Sequence, residues 1–164
     1  MGRTATLETL HGQLESHSPD RTRAFGRSLG AAAGPGTVLA LSGDLGAGKT
    51  QLAKGVAEGL GVTSVVNSPT FVLMNEHEGR LRMHHIDAYR LEDPEEALAA
   101  GLLDDREVTG VTVIEWADRL AGWLPAERLE IELDAGDGLT HRMIRWQALG
   151  ALHVRLAAEA LDAR

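Results

Sequence analysis

The stretch TVLALSGDLGAGKTQLAKG, Thr37 to Gly55, decides the fold. Val38 to Leu41 form a short apolar run without alternation, as a strand buried on both faces would be. Leu52, Ala53, Val56, Ala57 and Leu60 recur at helical spacing, and Gly61 ends that helix. Between strand and helix, Gly43-Asp44-Leu45-Gly46-Ala47-Gly48-Lys49-Thr50 satisfies G-x-x-x-x-G-K-[ST] in the context that gives the motif meaning. Glycines let successive backbone N–H groups turn toward phosphate oxygens, and the helix N-terminus adds partial positive charge. Lys49 offers a point charge for the β- and γ-phosphates, and the Thr50 hydroxyl offers a ligand for Mg²⁺. A nucleotide gripped by Gly43 through Gln51 is the expectation.

Working outward, the fold class expected is α/β: a P-loop NTPase-like three-layer fold, with parallel central strands and added antiparallel strands. Residues 1–164 are read as a single domain. TATLETL, residues 4–10, alternates and predicts a strand. Ser18 as N-cap, Pro19 at the first helical position and Asp20 in the first turn predict a helix carrying Phe25, Leu29 and Ala32 on one face. FVLMNEHEGRLRMHHID predicts a hairpin turning at His77-Glu78-Gly79-Arg80, and EDPEEALAAGLLDD a helix capped by Asp93. GVTVIEW reads as a second buried strand. RLEIEL and HRMIRWQAL read as a late antiparallel pair around Ala135-Gly136-Asp137-Gly138, and ALHVRLAAEALDAR as a helix.

The 164 residues carry a formal net charge of −8 and no cysteine. A disulfide framework and thiolate metal sites are thereby excluded, and a reducing cytoplasm is the expected location. No apolar run reaches membrane-spanning length, and the start lacks a signal-peptide layout. With no basic stripe, the chain is not expected to grip DNA or RNA unaided; a polynucleotide target would be held by a partner.

A P-loop needs a carboxylate near its metal, usually at the end of a buried strand. Asp87 ends RLRMHHID and Glu115 ends GVTVIE, and both are candidates for Mg²⁺ or for the attacking water. The chain has neither an N-K-x-D guanine reader nor a D-x-x-G switch, so ATP is the expected nucleotide. His84 and His85 are adjacent in a strand and point to opposite faces, which speaks against a shared ion; core or hairpin roles are expected. Trp116, Trp123 and Trp146 read as packing residues, with Trp116 gaining interest from its place beside Glu115.

GDLGAGKT, NSPTF (Asn67 to Phe71), HIDAYRL (His85 to Leu91) and IEWADRL (Ile114 to Leu120) together resemble the bacterial TsaE (YjeE) family in order and spacing. The resemblance runs from about Ser18 to Arg142. It implies a small ATPase of tRNA threonylcarbamoyladenosine synthesis, acting with a TsaB–TsaD complex that modifies the adenosine beside the anticodon of ANN-decoding tRNAs. The resemblance implies that the chain binds that complex and supports its turnover without performing the transfer, with tRNA as an indirect partner; whether tRNA is also touched directly stays open.

Carried onto this chain, the resemblance implies phosphate and Mg²⁺ roles for Lys49 and Thr50, and a γ-phosphate-sensing Thr70 in a switch-like loop. Asp87, Glu115 and Trp116 fall in the metal neighbourhood, with Glu115 expected close to the ion and Asp87 close to Thr50 or its water shell. Thr22 resembles a threonine near the adenine, and Arg142 an arginine late in the family. The chain departs from the pattern at Gln51, Ala88 and His77, the last bearing on the partner surface. The competing expectation is a stand-alone metabolite kinase. It needs arginines gathered over the phosphates, whereas Arg80, Arg82, Arg90 and Arg106 are scattered.

Overall fold

The structure, a computed structural model, describes residues 6–44, 46–69, 73–93, 95, 109–136, 138 and 140–161. The helix expected after Asp93, and the Leu45 and Thr70 positions, lie outside these residues. The described elements run β1 (Thr9–Ser16), α1 (Pro19–Ala32), β2 (Val38–Gly43), α2 (Lys49–Gly59), β3 (Met74–His77), β4 (Met83–Asp87) and β5 (Val111–Glu115). A 3-10 helix (Ala117–Trp123), β6 (Arg128–Ala135), β7 (Arg142–Leu149) and α3 (Ala151–Ala160) follow. None of the described helices is long and apolar enough to cross a membrane.

The strands form a mixed sheet in the order β1-β7-β6-β2-β5-β4-β3. β6, β2, β5 and β4 are mutually parallel, while β3, β7 and β1 add on antiparallel. The late pair is antiparallel as expected, and β6 also joins the parallel centre beside β2. Strand alternation divides the core into two faces. Leu39, Leu41, Val111, Val113, Leu129 and Ile131 pack with α1, α2 and α3 on one side. Val38, Ala40, Ile86 and Ile114 pack with the 3-10 helix on the other.

The first strand is later than its alternation indicated. β1 pairs with β7 from Thr9↔Leu149 to Ser16↔Arg142, turning Leu10, Gly12 and Leu14 inward. The pattern breaks at Gly12 because the Trp146 ring occupies the space of its side chain; a Cβ there would sit 2.6 Å from the indole. A strand with glycine at a core position hides its own period.

Helix α1 begins as its sequence dictates: the Ser18 side chain accepts from Arg21 N–H, and Pro19 and Asp20 follow. Its packing is set by glycines. A Cβ on Gly30 would lie 2.1 Å from the Val56 carbonyl oxygen, and one on Gly55 2.0 Å from that of Arg23. Backbone thus meets backbone along α1 and α2, with Glu58 of α2 bound by Arg23 and Arg27 of α1 at the exposed margin.

The β3–β4 turn is longer than expected, since β4 begins only at Met83. It folds against the ends of both helices. Arg80 N–H donates to Leu60 O at 2.6 Å, and its guanidinium donates to Gly30 O and Ala33 O at 2.8 and 2.9 Å. A cation on the last carbonyls of α1 complements the helix dipole. Arg82 pairs with Glu76 and Glu78. Neither arginine is gathered over the P-loop as the kinase expectation required.

The C-terminal helix is tied to β2 through His153, whose Nε2 accepts from Val38 N–H at 3.0 Å. Burial lowers the His153 pKa from 6.5 to about 4.

Gly30→Ala must force the two helices apart and should destabilise the protein by about 1–3 kcal/mol. Gly122→Ala, with nothing within 4 Å of its Cβ position, should be near neutral. Urea unfolding of both variants measures the contrast. His153 is kept neutral by the fold, so its contribution is complete above pH 6.5 and lost as pH falls toward 4. The loss should total roughly 3 kcal/mol. His153→Gln, which does not titrate, should flatten that part of the stability profile.

Candidate functional site

The P-loop occupies the turn from β2 into α2. Gly43, Gly46 and Gly48 have φ of 141°, 79° and 109°, backbone that side-chain-bearing residues avoid. The loop carbonyls are held by two cations. Lys49 Nζ donates to Gly43 O at 2.6 Å and Asp44 O at 2.8 Å. Arg142, from the start of β7, donates through Nε to Ala47 O at 3.1 Å and through Nη2 to Gly46 O at 3.0 Å. Arg142 therefore braces the loop by its carbonyls.

Two parallel strands bring the acids to the same place. Register pairs Asp87 with Glu115 at the C-terminal ends of β4 and β5, and alternation turns both, with His85, toward the α2 side of the sheet. Thr50, in the first turn of α2, donates its hydroxyl to Glu115 Oε1 at 2.9 Å. His85 Nε2 lies 2.5 Å from the other oxygen, Oε2. Asp87 accepts from the Ser68 hydroxyl through Oδ2 and from Tyr89 N–H through Oδ1 at 2.8 Å. It thus ties Ser68 to the end of β4, while the Thr50 contact belongs to Glu115.

Lys49 is 5% exposed, and its ammonium lies 3.9 Å from the centre of the Trp116 ring. Burial depresses the Lys49 pKa below the ordinary 10.5, while Glu115, Asp118, Asp44 and Asp87 oppose that shift. Trp116 has φ 58° and ψ 39°, a left-handed conformation for a bulky residue. That geometry costs on the order of 1–3 kcal/mol and commonly marks a functional site. Tyr89 contacts the indole at 4.8 Å between centroids. Together these groups line a cleft of about 520 Å³, whose walls include Gly46, Lys49, Thr50, Gln51, Ser68, Asp87, Glu115 and Trp116. Its size falls within the range of small-molecule sites.

Thr22 is buried, with its hydroxyl bonded to Ser16 Oγ at 2.8 Å. Its methyl group lies 3.5 Å from the position a Gly48 Cβ would take, so it backs the loop from behind. His77 is also buried, with Nδ1 2.9 Å from Ser64 Oγ, so its own side chain contributes little to the surface. Ala88 is buried in the smaller core cluster.

The cleft is lined by the hydroxyls of Thr50 and Ser68 and the carboxylates of Asp87 and Glu115, hard oxygen ligands that fit Mg²⁺ better than a transition metal. Glu15, His17 and His141 form a second group of potential ligands away from the cleft. Their imidazoles are stacked, 4.7 Å apart and 7° from parallel, so the in-plane lone pairs of the two rings run side by side and do not converge on one ion.

The family described as threonylcarbamoyl adenosine biosynthesis protein TsaE matches residues 16–144. The tRNA threonylcarbamoyladenosine biosynthesis protein TsaE of Bacillus subtilis is 45% identical over 144 residues, covering 87% of this chain and 89% of that protein. Its namesake in Treponema pallidum is 41% identical over 118 residues, covering 72% and 87% respectively. The crystal structure of Bacillus subtilis YdiB superposes with a TM-score of 0.79 at 34% identity, over 98% of this chain and 99% of that one.

Arg142→Ala should leave the melting temperature nearly unchanged while speeding amide exchange in the segment 43–50, because the Gly46 and Ala47 carbonyls lose their donors. Hydrogen–deuterium exchange followed by peptide mass analysis reads the difference.

Proposed function

The chain belongs to the TsaE family, named for tRNA threonylcarbamoyladenosine biosynthesis, and from that premise we propose that it is an ATPase that drives this modification without performing the transfer itself. The observation that carries the reading is the meeting of the Thr50 hydroxyl and the Glu115 carboxylate at the mouth of a complete P-loop, with Asp87 alongside. That arrangement supplies what phosphoryl transfer to water requires: a phosphate cradle, oxygen ligands for a divalent ion, and a second carboxylate to orient the nucleophile.

Gly43 through Gln51 bind the ATP phosphates through the loop N–H groups and the α2 N-terminus. Lys49 exchanges its contacts with Gly43 O and Asp44 O for the β- and γ-phosphate oxygens. Thr50 and Glu115 hold Mg²⁺, which when bound draws charge from the β- and γ-phosphates. Asp87 orients water, or the ion's water shell, and communicates with the NSPTF segment through Ser68. Thr70 senses the γ-phosphate from that segment. Trp116 keeps Lys49 on the loop side of the cleft.

With a net charge of −8, the protein works on tRNA through a protein partner. A TsaB–TsaD complex in the cytoplasm is that partner, and ATP hydrolysis supports its repeated turnover.

Purified protein should hydrolyse ATP slowly alone and faster with TsaB–TsaD. Rapid phosphate transfer to a metabolite without the partners would refute the proposal. Lys49→Ala should weaken ATP binding roughly ten-fold or more, since a water-poor phosphate loses its cation. Glu115→Ala should retain nucleotide but lose about 100-fold in partner-stimulated hydrolysis. Cells depleted of the protein should regain modified tRNA with the wild type and not with Lys49→Ala.

A further inference from the structure

Beside the groups that face the cleft stands one that does not. His85 is completely buried, and its contact with Glu115 Oε2 at 2.5 Å is between two groups that are 0% and 2% exposed. A polar ring is costly to bury unless its nitrogens find partners. With a carboxylate as acceptor, the imidazole proton sits on Nε2. Nδ1 has no hydrogen-bond partner among the described residues. The polar character of this position is therefore justified by Glu115 alone.

The geometry gives the contact a consequence. A carboxylate on the end of a strand can rotate about its last bond and present either oxygen, or both, to an ion. At Glu115 one oxygen is held from each side: Oε1 by Thr50, at the cleft, and Oε2 by His85, in the core. The partner on Oε2 comes from the neighbouring strand, where register sets His85 opposite Val113, two residues before Glu115. It is anchored by sheet hydrogen bonds and does not depend on the loops around the cleft. Hydrogen bonds behind a metal-binding side chain commonly set ligand orientation and basicity.

We propose that His85 is a positioning residue for the ATPase site, clamping Glu115 Oε2 so that only Oε1 is presented to the divalent ion beside Thr50. The proposal rests on the ATPase reading of the cleft. His85 touches neither nucleotide nor water; it acts through the carboxylate.

The test compares His85→Leu, which removes the donor and fills the space, with His85→Gln, whose amide can reach the same oxygen. Mn²⁺ replaces Mg²⁺ as probe, and its affinity for the full chain with ADP is titrated by electron paramagnetic resonance. His85→Leu should weaken Mn²⁺ binding about 10–100-fold, with metal-free nucleotide affinity unchanged. Steady-state ATPase should show a comparable loss in kcat at an unaltered KM for ATP. His85→Gln should return both to within a few-fold of wild type. In a Glu115→Gln background, His85→Leu should add nothing. Should His85→Leu fail to fold, His85→Asn, polar but too short to reach Glu115, takes its place with the same expectation.

A folded Leu or Asn variant with wild-type Mn²⁺ affinity and kcat would overturn the clamp while leaving the ATPase proposal standing. Equal losses in Leu and Gln variants would also overturn it, since the hydrogen bond would then not be the cause. Failure of the wild type to bind Mn²⁺ with ADP would overturn both proposals together.

Discussion

A carboxylate withdrawn from water must be met by donors, and the arrangement around Glu115 is organised by that requirement. The residue is 2% exposed at the end of a central strand, with Thr50 on one oxygen and His85 beside the other. Satisfying it couples three elements, α2 through Thr50, β4 through His85 and β5 itself. The helix that presents the P-loop is thereby fastened to the strand that presents the acid. Lys49, also buried, adds a compensating positive charge to the same neighbourhood. Charge complementarity inside the cleft and the relative placement of its walls are thus one problem with one solution.

The rest of the fold holds α2 where that solution works. Glycines at 26, 30, 55 and 59 let α1 approach α2 until backbone touches backbone, and Arg80 seals the far end of α1. From behind the loop, Thr22 of α1 packs against Gly48; from the side, Arg142 of β7 takes the Gly46 and Ala47 carbonyls. Helix packing that close permits no sliding, because interiors at native density have no slack. Trp116 concentrates the remaining strain: a bulky residue in left-handed backbone, stacked over the lysine that the loop holds. Strain of this kind persists when surrounding contacts over-determine it.

Much of this was legible in the chain. The P-loop, the two acids, the N-cap at Ser18, the hairpin and the buried strands follow from local rules that act within a few residues of one another. What was misread had non-local causes. β1 lost its period because Gly12 makes room for Trp146, more than a hundred positions away. The β3–β4 turn is long because it must reach the ends of two helices. For His85 the sequence leaves a core and a hairpin role open. The structure buries it, and only the β4–β5 register places it against Glu115. Arg142, matched to an arginine late in the family by resemblance alone, turns its guanidinium to the loop carbonyls, a contact that no local pattern announces.

The sequence by itself determined which groups are available: a glycine-rich turn of the phosphate-binding pattern, a hydroxyl after its lysine, and carboxylates at strand ends, since each depends on residue type and short spacing. Tertiary structure alone decided which of those carboxylates meets Thr50, which histidine stands behind it, and which arginine braces the loop. Those pairings join residues 30 to 96 positions apart. They arise from parallel strand register and from glycine-mediated helix contact, and neither leaves a periodic mark on a single strand or helix.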